Sequence, residues 1–311
     1  MLGGLGFDFT SKSHFTIPQV SSALADFSKN FLEDNPVDIY ASDACFMQMA
    51  EVANEFYPHV QVVIGSSQQE NYQGWPYREI LQYFRKILRS EEAEANPANP
   101  AVISDDIAYN LALEIPQLFK KSYYDHRSRQ GVEPQLSISS LRPGNWHQHP
   151  LTLAQGLNRL GDEILKLMKD DPSMAQRMRW VGEQSIYHSP LALDLYYFTS
   201  MLTFSYLDTP SPLPHDGLTL AIMDLQDLIS QSIISYGIGK VFRQEAYNSL
   251  KALSLWFPRN LEDFKNYAPI FAQSRLYQEI KEGGGQWLAM LEKIYQDDFL
   301  VHLPTAIPDK R

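Results

Sequence analysis

Apolar positions recur at helical spacing through residues 18–34, with Val20, Leu24, Phe27 and Phe31 on one face, and predict a first helix. After Pro36 the pattern changes. Val37-Asp38-Ile39-Tyr40-Ala41 is short and rich in strand formers, and reads as a strand ending at Ser42-Asp43. Residues 46–57, rich in Met, Ala and Glu, predict a helix stopped by Pro58. Val60-Gln61-Val62-Val63-Ile64-Gly65 predicts a second strand, and residues 77–88 another helix. Strand, helix, strand, helix with short links is the pattern of a parallel sheet covered by helices.

A loop is expected around Glu91-Glu92 and Asn96-Pro97-Ala98-Asn99-Pro100. Residues 104–124 read as helix, and Leu136-Ser137-Ile138-Ser139-Ser140-Leu141 alternates like a strand. From about 150 to 250 the pattern is amphipathic helix, broken by the Pro-rich turn at 209–214. Residues 253–257 predict a late strand closed by Pro258, and residues 287–295 a final helix. The expected class is α/β: a mostly parallel sheet flanked by helices over residues 1–145, then a largely helical region over 146–311 packed on it.

Composition narrows the partners. Of 311 residues, 44% are hydrophobic and 20% charged, which suits a globular chain. The formal net charge of −11 argues against nucleic acid, whose phosphates need clustered Lys and Arg. No apolar run approaches the roughly 18 residues of a membrane span. The opening residues 1–6 have neither the basic flank nor the apolar stretch of a secretory signal. A single cysteine excludes an internal disulfide framework.

That cysteine, Cys45, falls between the end of one expected strand and the start of the next expected helix. There the first free N–H groups and the positive helix pole stabilise a thiolate, and the carboxyl ends of parallel strands carry active sites. Position alone leaves two readings open, a nucleophile or a buried structural thiol.

The surrounding residues add a resemblance. Ile39-Tyr40-Ala41-Ser42-Asp43-Ala44-Cys45-Phe46-Met47, Glu51-Val52-Ala53, Gly65-Ser66-Ser67 and Gly74-Trp75-Pro76-Tyr77 stand in the order seen in the clostripain-like cysteine peptidases. Those share the caspase-like fold with caspases, gingipains and legumains. Gly6-Phe7-Asp8, Leu136-Ser137-Ile138, Asp194-Leu195-Tyr196 and Leu253-Ser254-Leu255-Trp256-Phe257-Pro258 extend the resemblance along nearly all of the chain.

The resemblance implies an endopeptidase in which Cys45 attacks the scissile carbonyl and forms a thioester. The Cys45 backbone N–H would supply one arm of the oxyanion hole. Asp43 would pair with an Arg or Lys side chain of a protein or peptide substrate, in a pocket with Ser66, Ser67 and Trp75. Without the family, Asp43 reads equally as a helix N-cap. Some family members depend on calcium; Asp105 and Asp106 form no recognisable calcium loop, so no metal site is placed.

Two departures stand out. Family members carry a catalytic histidine in a His-Gly sequence upstream of the cysteine, about 50 residues away in the caspases. Counting back that far from Cys45 passes Met1, and His14 is followed by Phe15 in an expected turn. The expectation is therefore a chain begun inside a longer protein, lacking the histidine, the second oxyanion donor and the first strands of the core. The alternative is a non-catalytic binding or scaffold protein that keeps the fold. The pocket departs as well: Ser66-Ser67-Gln68-Gln69 and Gly74-Trp75-Pro76-Tyr77 leave Asp43 as one acid where two are usual. Lys12 and Lys29 are the basic residues available for self-cleavage before the cysteine.

Other features read more plainly. Trp146-His147-Gln148-His149 has two histidines without further ligands and is expected to be a solvated loop. Gly283-Gly284-Gly285 reads as a turn. Tyr196-Tyr197-Phe198 reads as core packing.

Overall fold

The computed structural model describes residues 5–8, 10–70, 74–94, 105–125, 137–189, 191–207, 216–238 and 250–296. A short hairpin, β1 (Leu5–Asp8) and β2 (Ser13–Phe15), leads into α1 (Ile17–Phe31). Thr16 and Gln19 form a capping box that starts α1, satisfying two N–H groups that helix ends leave open. His14 thus lies on a strand rather than in a turn, and it is exposed. Next come β3 (Val37–Ser42), α2 (Ala50–Phe56) and β4 (Val60–Ser66). The helix expected from residue 46 begins four residues later, because residues 45–48 form a turn and Met49 bridges to a distant strand.

The chain continues through α3 (Tyr77–Glu94), α4 (Asp105–Asp125), β5 (Ser137–Leu141) and α5 (Asn145–Gln148). Glu91 and Glu92 belong to α3 rather than to a loop, and residues 95–100 lie outside the described residues, as does the Pro-rich turn. A second capping box, Thr152 with Gln155, opens α6 (Leu153–Asp170). Then follow α7 (Met174–Gln184), β6 (Tyr187–Ser189), β7 (Ala192–Asp194), α8 (Leu195–Leu207), α9 (Asp216–Ser232) and β8 (Ile233–Ile238). The late strand is β9 (Ser254–Trp256), followed by α10 (Leu261–Phe271), α11 (Arg275–Glu282) and α12 (Gln286–Gln296). Gly283–Gly285 make the turn between the last two helices, Gly284 and Gly285 with positive φ.

The main sheet runs β3-β4-β5-β8. β3 and β4 pair in parallel, Ile39 opposite Val62 and Ala41 opposite Ile64, as a strand–helix–strand unit requires. β5 and β8 are both antiparallel to their neighbours, so among the described strands the sheet is mixed rather than mostly parallel. The strand β8 was hidden from the sequence pattern. Ile233-Ile234-Ser235 follows α9 without a turn residue, and the apolar positions read on as helix.

β4 explains its own continuous apolar run. Val63 packs into one core with Phe56, Leu157, Phe257 and Trp287, while Val62 and Ile64 face a second with Trp75, Ile115 and Phe119. A strand buried on both faces has no polar side to show. The larger core draws on both halves of the chain.

A smaller antiparallel sheet, β6-β7-β9, holds the late strand. Leu193, Leu255 and Trp256 set it into the main core, and Asp194 at the end of β7 is fully buried. Its Oδ1 accepts from Tyr197 N–H (2.9 Å), and its Oδ2 accepts from Ala252 N–H (3.0 Å) and lies 3.0 Å from His188 Nε2. The Asp-Leu-Tyr segment thus fixes the start of α8 and the approach to β9, with a buried carboxyl group held by backbone donors. Among the described residues no helix is long and apolar enough to cross a membrane.

Candidate active site

Cys45 sits in the turn after β3, three residues past its last residue, and its side chain is exposed. It does not open α2, which starts at Ala50, so the helix pole expected behind it is displaced by a turn. That turn is pinned from two sides. Phe46 N–H donates to Gln68 O and Gln48 N–H to Ser66 O, both at 3.0 Å; on the other side Ser254 N–H of β9 donates to Gln48 O at 3.1 Å. Phe46 takes φ of 62°, a strained value for a bulky residue that persists where neighbours over-determine it. Gly65 makes the approach feasible: a Cβ there would stand 3.0 Å from Met47 Cβ and 3.1 Å from its carbonyl carbon.

The sulfur receives a backbone donor. Glu70 N–H lies 3.2 Å from Cys45 Sγ, which fixes the position of the sulfur against the loop after β4. Among the described residues the Cys45 N–H itself has no acceptor, which leaves it available to a ligand.

Asp43 reaches the loop after β4. Its Oδ2 accepts from Trp75 N–H (3.0 Å) and from the Tyr77 hydroxyl (2.8 Å). It therefore caps no helix, and that reading is replaced by a link between the cysteine turn and the start of α3. Gly74 has φ of 67°, and a Cβ there would lie 2.7 Å from Asp43 Oδ2, so both conformation and space call for glycine. The Gly74 carbonyl accepts from the Tyr123 hydroxyl of α4 at 2.8 Å. The Gly-Trp-x-Tyr segment is thus a carboxylate holder built from one loop.

A second acid emerges that the sequence reading passed over. Glu70 Oε1 accepts from Trp75 Nε1–H at 2.9 Å. Desolvation, the hydrogen bond to Asp43 and the charges of Asp43 and Glu70 together push the Tyr77 hydroxyl up to about 12. Tyr123 is raised by burial and by the same two carboxylates. Two anionic groups therefore act on one patch of surface beside the thiol. Glu70 stands five residues before Trp75, just past Gln68-Gln69.

The remaining expected residues sit deeper. The Trp75 ring is 6% exposed and packs edge-on against Phe119, so it touches the patch through its indole N–H. Ser66 and Ser67 are buried, with their hydroxyls on Ser137. Their place is the seam between β4 and the residue opening β5.

Three of the described histidines are engaged elsewhere. His188 pairs with Asp194, and His149 Nε2 lies 3.3 Å from Asp227. His147 stacks on Tyr57 with ring centroids 3.6 Å apart, and burial lowers its pKa. Trp146 beside it is fully buried, so Trp146-His147-Gln148 is a packed helical turn rather than a solvated loop. Among the described residues no three carboxylate, cysteine or histidine groups converge.

The model of the clostripain family (peptidase C11) matches residues 3–190. Among solved structures the chain is similar to a cysteine protease of B. fragilis, with 13% identity and a TM-score of 0.56 over 91% of this chain and 99% of that one. It is similar as well to an inactive zymogen C11 protease from Parabacteroides distasonis, with 17% identity and a TM-score of 0.52 over 89% of this chain and 67% of that one. Curated proteins yield no match. At these identities the structures speak to the fold, which is caspase-like α/β. The family model covers more than half of the 311 residues, and the chain belongs to the clostripain family of cysteine peptidases.

Proposed function

We propose that Cys45 is the nucleophile of an endopeptidase that cuts after Arg or Lys, with Asp43 and Glu70 receiving the cationic side chain. The observation that carries this reading is the single loop that joins both carboxylates to the thiol: Glu70 gives its N–H to the sulfur and its carboxylate to Trp75, whose own N–H holds Asp43. The sulfur attacks the carbonyl carbon, and the Cys45 N–H receives the developing oxyanion. Collapse breaks the C–N bond, the amine leaves with a proton from the general acid, and water cleaves the thioester.

The reaction also needs a general acid and base to take the thiol proton and return it to the leaving amine, the role a histidine fills in the cysteine peptidases. Ser66 and Ser67 serve the reading as the rigid seam beneath the turn, and Trp75 as the rear wall of the pocket.

A chloromethyl ketone carrying an Arg side chain tests the reading. Saturable alkylation of Cys45, competed by Arg or Lys peptides, is the expected result. Reversible peptide binding with no alkylation would favour the non-catalytic reading, and equally fast labelling by an acidic analogue would remove the Arg/Lys assignment.

A further inference from the structure

Away from the cysteine turn, α1, α2 and the junction of α10 with α11 enclose a cavity of about 260 Å³. Two carboxylates on one face of α2, Glu51 and Glu55, line it together with Ile17, Pro18 and Ile270. Glu51 is 1% exposed; its Oε1 accepts from Trp256 N–H at 2.8 Å, and its Oε2 has no hydrogen-bond partner. Glu55 Oε2 accepts from Arg275 N–H at 3.1 Å. Among the described residues that line the cavity there is no Lys or Arg, and His14 alone can carry positive charge. A buried carboxylate oxygen without a donor is costly, and two acids one turn apart repel.

We propose that this cavity binds a primary ammonium on a short alkyl stem. Each carboxylate has one oxygen committed to a backbone N–H, so neither offers the pair of oxygens that a guanidinium fork matches. An ammonium is compact and turns its donors toward separate acceptors, here Glu51 Oε2 and the second oxygen of Glu55. Ile17, Pro18 and Ile270 supply an apolar wall for the stem. The volume falls below the roughly 300–1,000 Å³ of drug-sized pockets, which suits a small ligand.

Calorimetric titration of the protein with butylamine, Nα-acetyl-lysine amide and 1-butanol at pH 8 tests the site. The double variant Asp43→Asn, Glu70→Gln serves as the background that removes both carboxylates of the other cation pocket. Saturable binding of butylamine is expected in that background, weakened at least about tenfold by Glu51→Gln and abolished by Ile270→Trp, which fills the cavity and leaves Glu51 in place. Binding of the lysine amide alone would assign the site to a lysine side chain and still support it. No binding of either amine, equal binding of 1-butanol, or binding unchanged in both cavity variants would overturn it. Loss with this double variant alone would place the amine in the cysteine-side pocket and overturn the cavity while leaving the peptidase reading intact.

Discussion

Glu70 and Cys45 are joined through the backbone: the Glu70 N–H lies 3.2 Å from the sulfur, while the Glu70 side chain is held by Trp75 Nε1–H. Main chain and side chain of one residue thus face the thiol and the anionic patch. Substituting Glu70 separates the two. Glu70→Gln keeps the donor to sulfur and an acceptor for Trp75 but removes a charge. We expect labelling of Cys45 by a neutral alkylating agent to be nearly unchanged, and labelling by an Arg chloromethyl ketone to fall about 10- to 100-fold. Rate constants for the two reagents, compared side by side, check the split.

Asp43 holds the Tyr77 hydroxyl, which stays protonated far above the ordinary phenol range. Burial is the first cause, and the hydrogen bond to Asp43 and the carboxylate charges add to it. In Asp43→Asn the charge and its hydrogen bond to the phenol both weaken, so Tyr77 should ionise at lower pH, part of the way from about 12 back toward 10. Alkaline difference absorbance, with Tyr77→Phe to identify the signal, reads the change. An unaltered titration would mean that burial alone sets it.

The two glycines in the site answer to different constraints. Gly65→Ala drives a methyl against Met47 Cβ and its carbonyl carbon, beneath the cysteine turn. A cost of about 1–3 kcal/mol is expected, as for other overpacked positions, with slower alkylation of Cys45 because the turn must shift. Gly74→Ala meets both a positive φ and the Asp43 carboxylate. It should weaken Arg selectivity more than reactivity, since the sulfur is held from Glu70 rather than from Gly74. Urea midpoints and reagent selectivity together separate the two variants.

Local signals carried much of this fold. The spacing of Val20, Leu24, Phe27 and Phe31 marks a helix, Pro58 a helix end, and the apolar run through Ile64 a strand, covered on both faces. Partnership across the chain was not local. Ile233-Ile234-Ser235 became a strand because β5 offered an edge, and Met49 stayed out of α2 because β9 pairs beside it. In the candidate site, the strand–turn setting singled out Cys45 without deciding between nucleophile and structural thiol, and Asp43 stood out through the family resemblance, since its setting alone read as a helix cap. Glu70 was not legible, because its relevance rests on the indole of Trp75 and on a chain reversal that brings residue 70 back to residue 45. Ser66 and Ser67 looked available in a polar stretch, but their hydroxyls complete the seam with Ser137.

Glu51 sets a pH dependence of stability that can be worked out in sign. Burial pushes its carboxyl up to about 7, against the lowering effect of the Trp256 N–H, from an ordinary value of 4.5 in the unfolded chain. Between those two values the folded state holds a proton that the unfolded state has released. Stability therefore falls as pH rises from 4.5 to 7 and is level above that. The span corresponds to about 3 kcal/mol as an order of magnitude. Glu51→Gln keeps an acceptor for the Trp256 N–H and carries no charge to bury, so its stability should lack this slope. The variant is then expected to gain on the parent between pH 5 and pH 8, a shift visible as a higher urea midpoint at pH 8 and a smaller difference at pH 5. Parallel curves for the two proteins would show that Glu51 ionises no differently on folding.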